Sequence, residues 1–275
     1  MEHFWDNPVG RHGARLLSGR AGRAGLWLAV AAFVAGIVLQ RYWSEVDWHL
    51  LARPAAAGRV TVLALLAESV LLWFWFAARG GQLGRRVVRE GHLDDYRRSC
   101  LSPERIGVGL WLAALRPAGL VLPGSLVLSA VVMQLGSDPV SWSGLLQAHG
   151  LLACLTVLGS LLGLAVGIRT RRYTAPVWVA LGLMAAPLVA LLVLNHLLPR
   201  LPQPEACIQA TLLPNPAAAL AAALEVDLFR FSWLYRTLRV HEYFYVYPPV
   251  WQTGLAGIGL TALLFPWLTQ RIRVQ

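Results

Sequence analysis

The chain has 275 residues, of which 57% are hydrophobic and 14% charged. It contains uncharged runs near the roughly 20 residues needed to cross a bilayer, which excludes an ordinary soluble domain. Its net charge of +10 comes from 24 basic residues, all of them arginine; the absence of lysine excludes a Walker A motif and a Schiff-base lysine in this chain. The arginines gather at the ends of the apolar runs, a placement that suits membrane topology better than a phosphate-binding face, so no nucleic-acid partner is expected.

Residues 1–24 mix aromatics and leucines with arginines. Phe4 and Trp5 precede Asp6, Asn7 and Pro8, a helix-start pattern with proline in the first turn. Val9, Leu16 and Leu17 are expected to face lipid, with Arg11, Arg15 and Arg20 toward an anionic leaflet, as in an interfacial helix. A cleavable signal peptide is not expected, because charged and polar residues continue to Arg23.

Residues 25–275 predict an all-α, six-span membrane domain. The spans run roughly from Gly25 to Gln40, Val60 to Ala78, Ile106 to Leu135, Leu145 to Ile168, Ala175 to Leu198 and Val250 to Leu268. The first is short and relies on Arg23 and Arg41 reaching the headgroups. With the N-terminus inside, 16 arginines fall on one side and seven on the other. That bias places both termini and the loop 79–105 in the cytoplasm, and the loop 199–249 outside.

The outer loop contains Asn215 as a candidate N-cap before Pro216. It also carries Phe231, Trp233, Tyr235, Tyr243, Phe244, Tyr245 and Tyr247, an aromatic set suited to the membrane boundary. It is expected to form re-entrant or interfacial helices before the last span. Cys100, Cys154 and Cys207 fall in three separate segments and suggest neither a disulfide nor a thiolate metal site; no metal ligands are assigned.

Glu68 and Arg116 lie deep in adjacent antiparallel spans, where an unpaired charge costs at least about 2.5–3.5 kcal/mol. Two readings stand: they pair or line a polar cavity, or Pro117 and Pro123 break the helix and bring Arg116 to a shallower depth. Gly159, Gly163 and Gly167 make a small-residue ridge for close helix packing. His149 and His196 lie at similar depth on antiparallel spans, where two histidines can ligate a haem or simply form hydrogen bonds.

The densest charge cluster is REGHLDDYRRSCLSPERIG, Arg89 to Gly107, with eight Asp, Glu or Arg residues in 19. Asp94 and Asp95 followed by Arg97 and Arg98 favour a short helix, and Ser102, Pro103 and Glu104 signal the start of the next span. This loop resembles the segment between the second and third spans of ABC-2 type transporter permease subunits. Arg89, Glu90, Gly91, Leu93 and Asp94 match its start; Leu101, Ser102, Pro103 and Ile106 match its end, with Glu104 and Arg105 in exchanged order. Asn7-Pro8-Val9 and the stretch LLPNPAAALAAAL are similar to other segments of that family. Leu110 stands where the family carries lysine.

The resemblance implies a permease subunit of an exporter in a bacterial-type inner (plasma) membrane, with no catalytic residues or cofactor of its own. ATP and Mg would be held by a separate ABC ATPase subunit. That ATPase would dock on the loop residues Glu90, Gly91, Leu93, Asp94, Asp95, Arg97, Arg98, Leu101, Ser102 and Pro103, on a helix spanning Gly91 to Leu101. A second permease copy or paralogue and membrane lipids are the other implied partners. Two rival readings remain: a permease-like structural subunit without transport activity, and a haem-binding redox subunit.

Overall fold

Two glycine-bearing helices form the axis of the protein. The computed structural model describes residues 7–17, 27, 30, 31, 34, 58–99, 101–135, 141–170, 174–227 and 238–274, and among these it is helical without a strand. In chain order the helices are α1 (Pro8–Leu16), α2 (Gly58–Arg89), α3 (His92–Arg98), α4 (Pro103–Leu115), α5 (Ala118–Leu135), α6 (Trp142–Arg169), α7 (Ala175–Leu197), α8 (Pro204–Leu212), α9 (Pro216–Ala223) and α10 (Val250–Val274).

Four stretches are long and apolar enough to cross a membrane: Pro103–Val131, Trp142–Arg169, Ala175–Arg200 and Val250–Arg273. The bent pair α8–α9, with 88° between its helices, makes five if it counts as one span. Among the described residues the chain is therefore all-helical and membrane-spanning, with four or five such spans. The expected first span lies mostly outside the described residues. The expected second is α2, which carries Glu68 in its first half and Arg79, Arg85, Arg86 and Arg89 in its second.

The expected third span is divided at Arg116 and Pro117 into α4 and α5. Pro117 has no N–H to donate to the preceding turn, so the helical ladder is interrupted there. The buried Arg79 side chain braces this break, donating from Nε to the Ala114 carbonyl at 3.1 Å. Ala114 contributes one of the last four carbonyls of α4, where a cation complements the helix dipole.

Within its span window α6 is 78% buried inside the protein, against 19% and 17% for the spans of α7 and α10. It is the central helix, and α2 is its main neighbour. The ridge of Gly159, Gly163 and Gly167 meets Trp73, Ala77 and Gly81 of α2, while Gly80 and Gly84 of α2 close on Ser160 and Leu164 of α6, so the partner of this ridge lies in the same chain. A Cβ on Gly163 would stand 2.0 Å from the Ala77 carbonyl oxygen, and one on Gly80 2.2 Å from that of Ser160. Only hydrogen fits at these positions. Indole donors tie other helices to this axis: Trp73 to the Ala180 carbonyl at 3.0 Å, and Trp111 to Ser160 Oγ at 3.0 Å.

α1 departs from the interfacial expectation. Asn7 caps it, accepting from Val9 N–H at 2.9 Å, and its Nδ2 donates to the Arg105 carbonyl at 2.9 Å. Val9 and Leu17 are buried in the protein core with Leu110 and Ala113, and Leu16 packs against the same cluster, so these residues face α4 rather than lipid. Gly10 and Gly13 permit the approach, with Gly13 set against the Ala113 methyl. At the other end, α9 begins as expected, with Asn215 accepting from Ala217 N–H at 3.0 Å. Asp227 accepts hydrogen bonds from the hydroxyls of Tyr245 and Tyr247; Phe231, Trp233 and Tyr235 lie outside the described residues.

Replacing Gly163 by leucine should destabilise the protein by about 3 kcal/mol or prevent assembly of the bundle, since backbone stands where the side chain must go. Gly182→Leu, at a position with open space around it, should change stability by less than about 0.5 kcal/mol. Thermal unfolding of the two variants in the same detergent compares them directly.

Candidate functional site

The densest charge cluster folds into a short helix held across the arginine-rich end of the bundle. α2 ends at Arg89, and Gly91 takes φ +76°, a left-handed conformation that glycine adopts without strain. That reversal starts α3, with Asp94 and Asp95 in its first turn and Arg97 and Arg98 in its last, the charge order that the helix dipole favours. The helix is shorter than the expected Gly91 to Leu101. Leu101 packs half-buried beyond it, Ser102 caps α4 by accepting from Arg105 N–H, and Pro103 is the first residue of α4.

One face of α3 is anchored. Leu93 is buried in a cluster with Val87, Ile106, Leu268 and Ile272. Arg97 was expected among the displayed charges; instead its guanidinium turns inward to the Ile272 carbonyl of α10, with Nε at 2.7 Å, while Nη1 lies 3.3 Å from Asp94. Tyr96 Oη lies 2.6 Å from Nδ1 of His12 on α1. Burial, with the nearby Asp95 charge adding to it, pushes the Tyr96 hydroxyl up to about 12. It therefore keeps its proton, and the Tyr96 hydroxyl and His12 Nδ1 share one hydrogen bond between α3 and α1. The His12 ring meets His92 edge-on, with centroids 4.7 Å apart.

The opposite face is open and acidic. The side chains of Asp94 and Asp95 are 64% and 67% exposed, and that of Glu90 is 47% exposed. His92 lies 3.3 Å from Glu90 and 3.8 Å from Asp95. Arg98 is exposed on the same short helix. The arrangement is a platform: a rigid inner face joined to α1, α2 and α10, and an outer face of carboxylates. Sequence reasoning missed His12, Tyr96 and Ile272. The i, i+3, i+4 spacing of Leu93, Tyr96 and Arg97 marks the inner face and is the signal that would have found Tyr96; nothing local points to His12 or Ile272.

Glu68 and Arg116 are not brought together. Glu68 is fully buried with neither carboxylate oxygen hydrogen-bonded. Arg116 is exposed and lines a groove of about 550 Å³ with Asn7, Arg11, Leu115 and Gly119. The histidine pair does not fit a haem: His149 directs Nδ1 to the Leu145 carbonyl at 2.9 Å and Nε2 to Ser125 at 3.2 Å, while His196 is exposed on α7. Among the described residues no group of three or more His, Cys, Asp or Glu side chains is placed to hold a metal ion. Compared with protein-family models, curated proteins and solved structures, the chain matches none.

Between pH 10 and about 12 the folded chain should hold the Tyr96 proton after the unfolded chain has released its own. Raising the pH through that window should therefore weaken the fold. Phenolate absorbance should show a late-titrating phase, and Tyr96→Phe should reduce that phase and remove its share of the pH-dependent loss of stability.

Proposed function

We propose that the chain is the membrane permease subunit of an ABC-2 type exporter, with its arginine-rich end in the cytoplasm of a bacterial-type cell. A separate ATPase subunit, holding ATP and Mg, docks on the outer face of α3. The observation that carries this reading is the two-sided chemistry of α3, with exposed carboxylates outward and anchoring contacts inward. A push on the outer face reaches α10 through Leu93 and Arg97, and α1 through Tyr96 and His12. From α1 it reaches the first turn of α4 through the Asn7 clasp on the Arg105 carbonyl.

Coupling is mechanical in this reading, and the chain has no catalytic residue. A second permease copy or a paralogue completes the pathway. α7 and α10 support this partner, because Trp178, Trp251 and Leu263 leave broad apolar faces outward for lipid or another subunit. The apolar spans suit a hydrophobic, lipid-like cargo.

One observation favours the second reading, a permease-like structural subunit without an ATPase. Leu110, where the resembling family carries lysine, is fully buried beneath α1 near Gly13. That position offers no cation to a docking partner.

Purification of the tagged chain in mild detergent, followed by mass spectrometry, separates the two. The exporter reading expects a stoichiometric Walker A ATPase, lost in a Glu90→Ala, Asp94→Ala, Asp95→Ala variant that leaves Leu93, Tyr96 and Arg97 in place. Other membrane subunits without any ATPase would remove the transport claim.

A further inference from the structure

The structure leaves one deeply buried group unexplained by the platform. Glu68, in the first half of α2, is fully buried and both of its oxygens are without a hydrogen bond. Among the described residues, no charged side chain on the elements around α2 pairs with it. Arg79 donates to the Ala114 carbonyl, Arg86 donates to the Leu16 carbonyl, and Arg116 is exposed in its groove. Glu104 lies 3.5 Å from Arg273, Asp227 accepts from two tyrosines, and His196 is exposed. An ionised Glu68 would have no arginine partner among the described residues, and an unpaired buried charge is not retained.

The polar group that acts on the Glu68 carboxyl is Ser125 of α5, close enough to influence it but not in a hydrogen bond of ordinary geometry. Ser125 Oγ is 3.2 Å from His149 Nε2 on α6, and His149 Nδ1 is 2.9 Å from the Leu145 carbonyl. A carbonyl only accepts, so Nδ1 carries a hydrogen in every state. In neutral imidazole Nε2 is then the acceptor, and Ser125 must donate its hydroxyl hydrogen to it. That leaves the Ser125 oxygen with lone pairs free to accept, and the group facing it is the Glu68 carboxyl.

We propose that Glu68, Ser125 and His149 form a buried proton-binding site whose ligand is a single exchangeable proton. In the neutral state the proton sits on the Glu68 carboxyl and is donated to Ser125 Oγ on closer approach. Transfer moves it to Ser125 Oγ while the Ser125 hydroxyl hydrogen passes to His149 Nε2. One O–H bond breaks at Glu68, one O–H is exchanged at Ser125 and one N–H forms at His149, giving carboxylate and imidazolium with no other species consumed. The three residues stand on α2, α5 and α6. Swinging α5 away about the break at Arg116 and Pro117 would remove the bridging serine from both its donor, Glu68, and its acceptor, His149. A bound proton therefore favours the packed arrangement of these helices, and its loss favours separation.

Infrared spectroscopy of the full chain in lipid nanodiscs at neutral pH tests this. The wild type should show a carbonyl band of a protonated carboxylic acid that Glu68→Gln removes. Ser125→Ala should shift that band, and His149→Gln should change the pH at which it bleaches. If Glu68→Gln does not fold, ¹³C-labelled glutamate in the wild-type chain identifies the band without a substitution. The absence of any protonated glutamate at neutral pH would overturn the proposal. A band unmoved by both Ser125→Ala and His149→Gln would show an isolated buried acid and would overturn it equally. The outcome is independent of whether an ATPase co-purifies.

Discussion

Close backbone contact between α2 and α6 is the constraint on which the rest of the protein depends. Lipid is as apolar as leucine, so helices in a membrane gain little from burying hydrocarbon and depend on close packing instead. Glycines on both helices supply that here, Gly80 and Gly84 of α2 and Gly159, Gly163 and Gly167 of α6, with no room for a methyl group at the tightest points. The remaining helices are positioned from this axis. Trp111 reaches Ser160 beside the seam and sets α4, Trp73 sets α7, and Arg79 leaves the seam to brace the break between α4 and α5.

The seam is stiff, and the end of the bundle is attached to it by a few discrete contacts. α3 joins the remainder through a buried leucine, a tyrosine–histidine hydrogen bond and a guanidinium on a helix-terminal carbonyl. α1 is attached by the Asn7 clasp and two close glycine contacts. A rigid axis with a pinned but separable end piece can pass a displacement along without unpacking its core. This division, more than the charge of the loop alone, is what makes a mechanical role for α3 physically coherent.

The apolar runs announced the helical membrane class directly, because hydropathy over some 20 residues is a local property of the chain. The Ser102–Pro103 and Asn215–Pro216 starts were legible for the same reason, since a cap and a proline act within one turn. The glycine ridge of α6 was visible, but its partner was not: Gly80, Gly81 and Gly84 sit in a run rich in arginine that reads as a span end. Pro117 marked the break in the third span, but nothing local showed that Arg79, 35 residues before Ala114 along the chain, would stabilise it. The lipid-facing reading of Val9, Leu16 and Leu17 failed because an amphipathic helix looks the same whether its apolar face meets acyl chains or another helix. In the candidate site, the acidic face was apparent from sequence, whereas the inward turn of Arg97 required knowing that the last turn of α10 ends beside it.

The unequal burial of the spans also bears on how a chain like this diverges. α7 and α10 turn most of their surface outward, where one large apolar residue serves nearly as well as another. Along the seam, the volume of a single carbon atom is decisive. Substitutions can therefore accumulate freely over the outer helices while the glycine spacing of the inner pair stays fixed. Two descendants could share few residues and still superpose, and their kinship would show in the spacing of six small residues before it showed in overall identity.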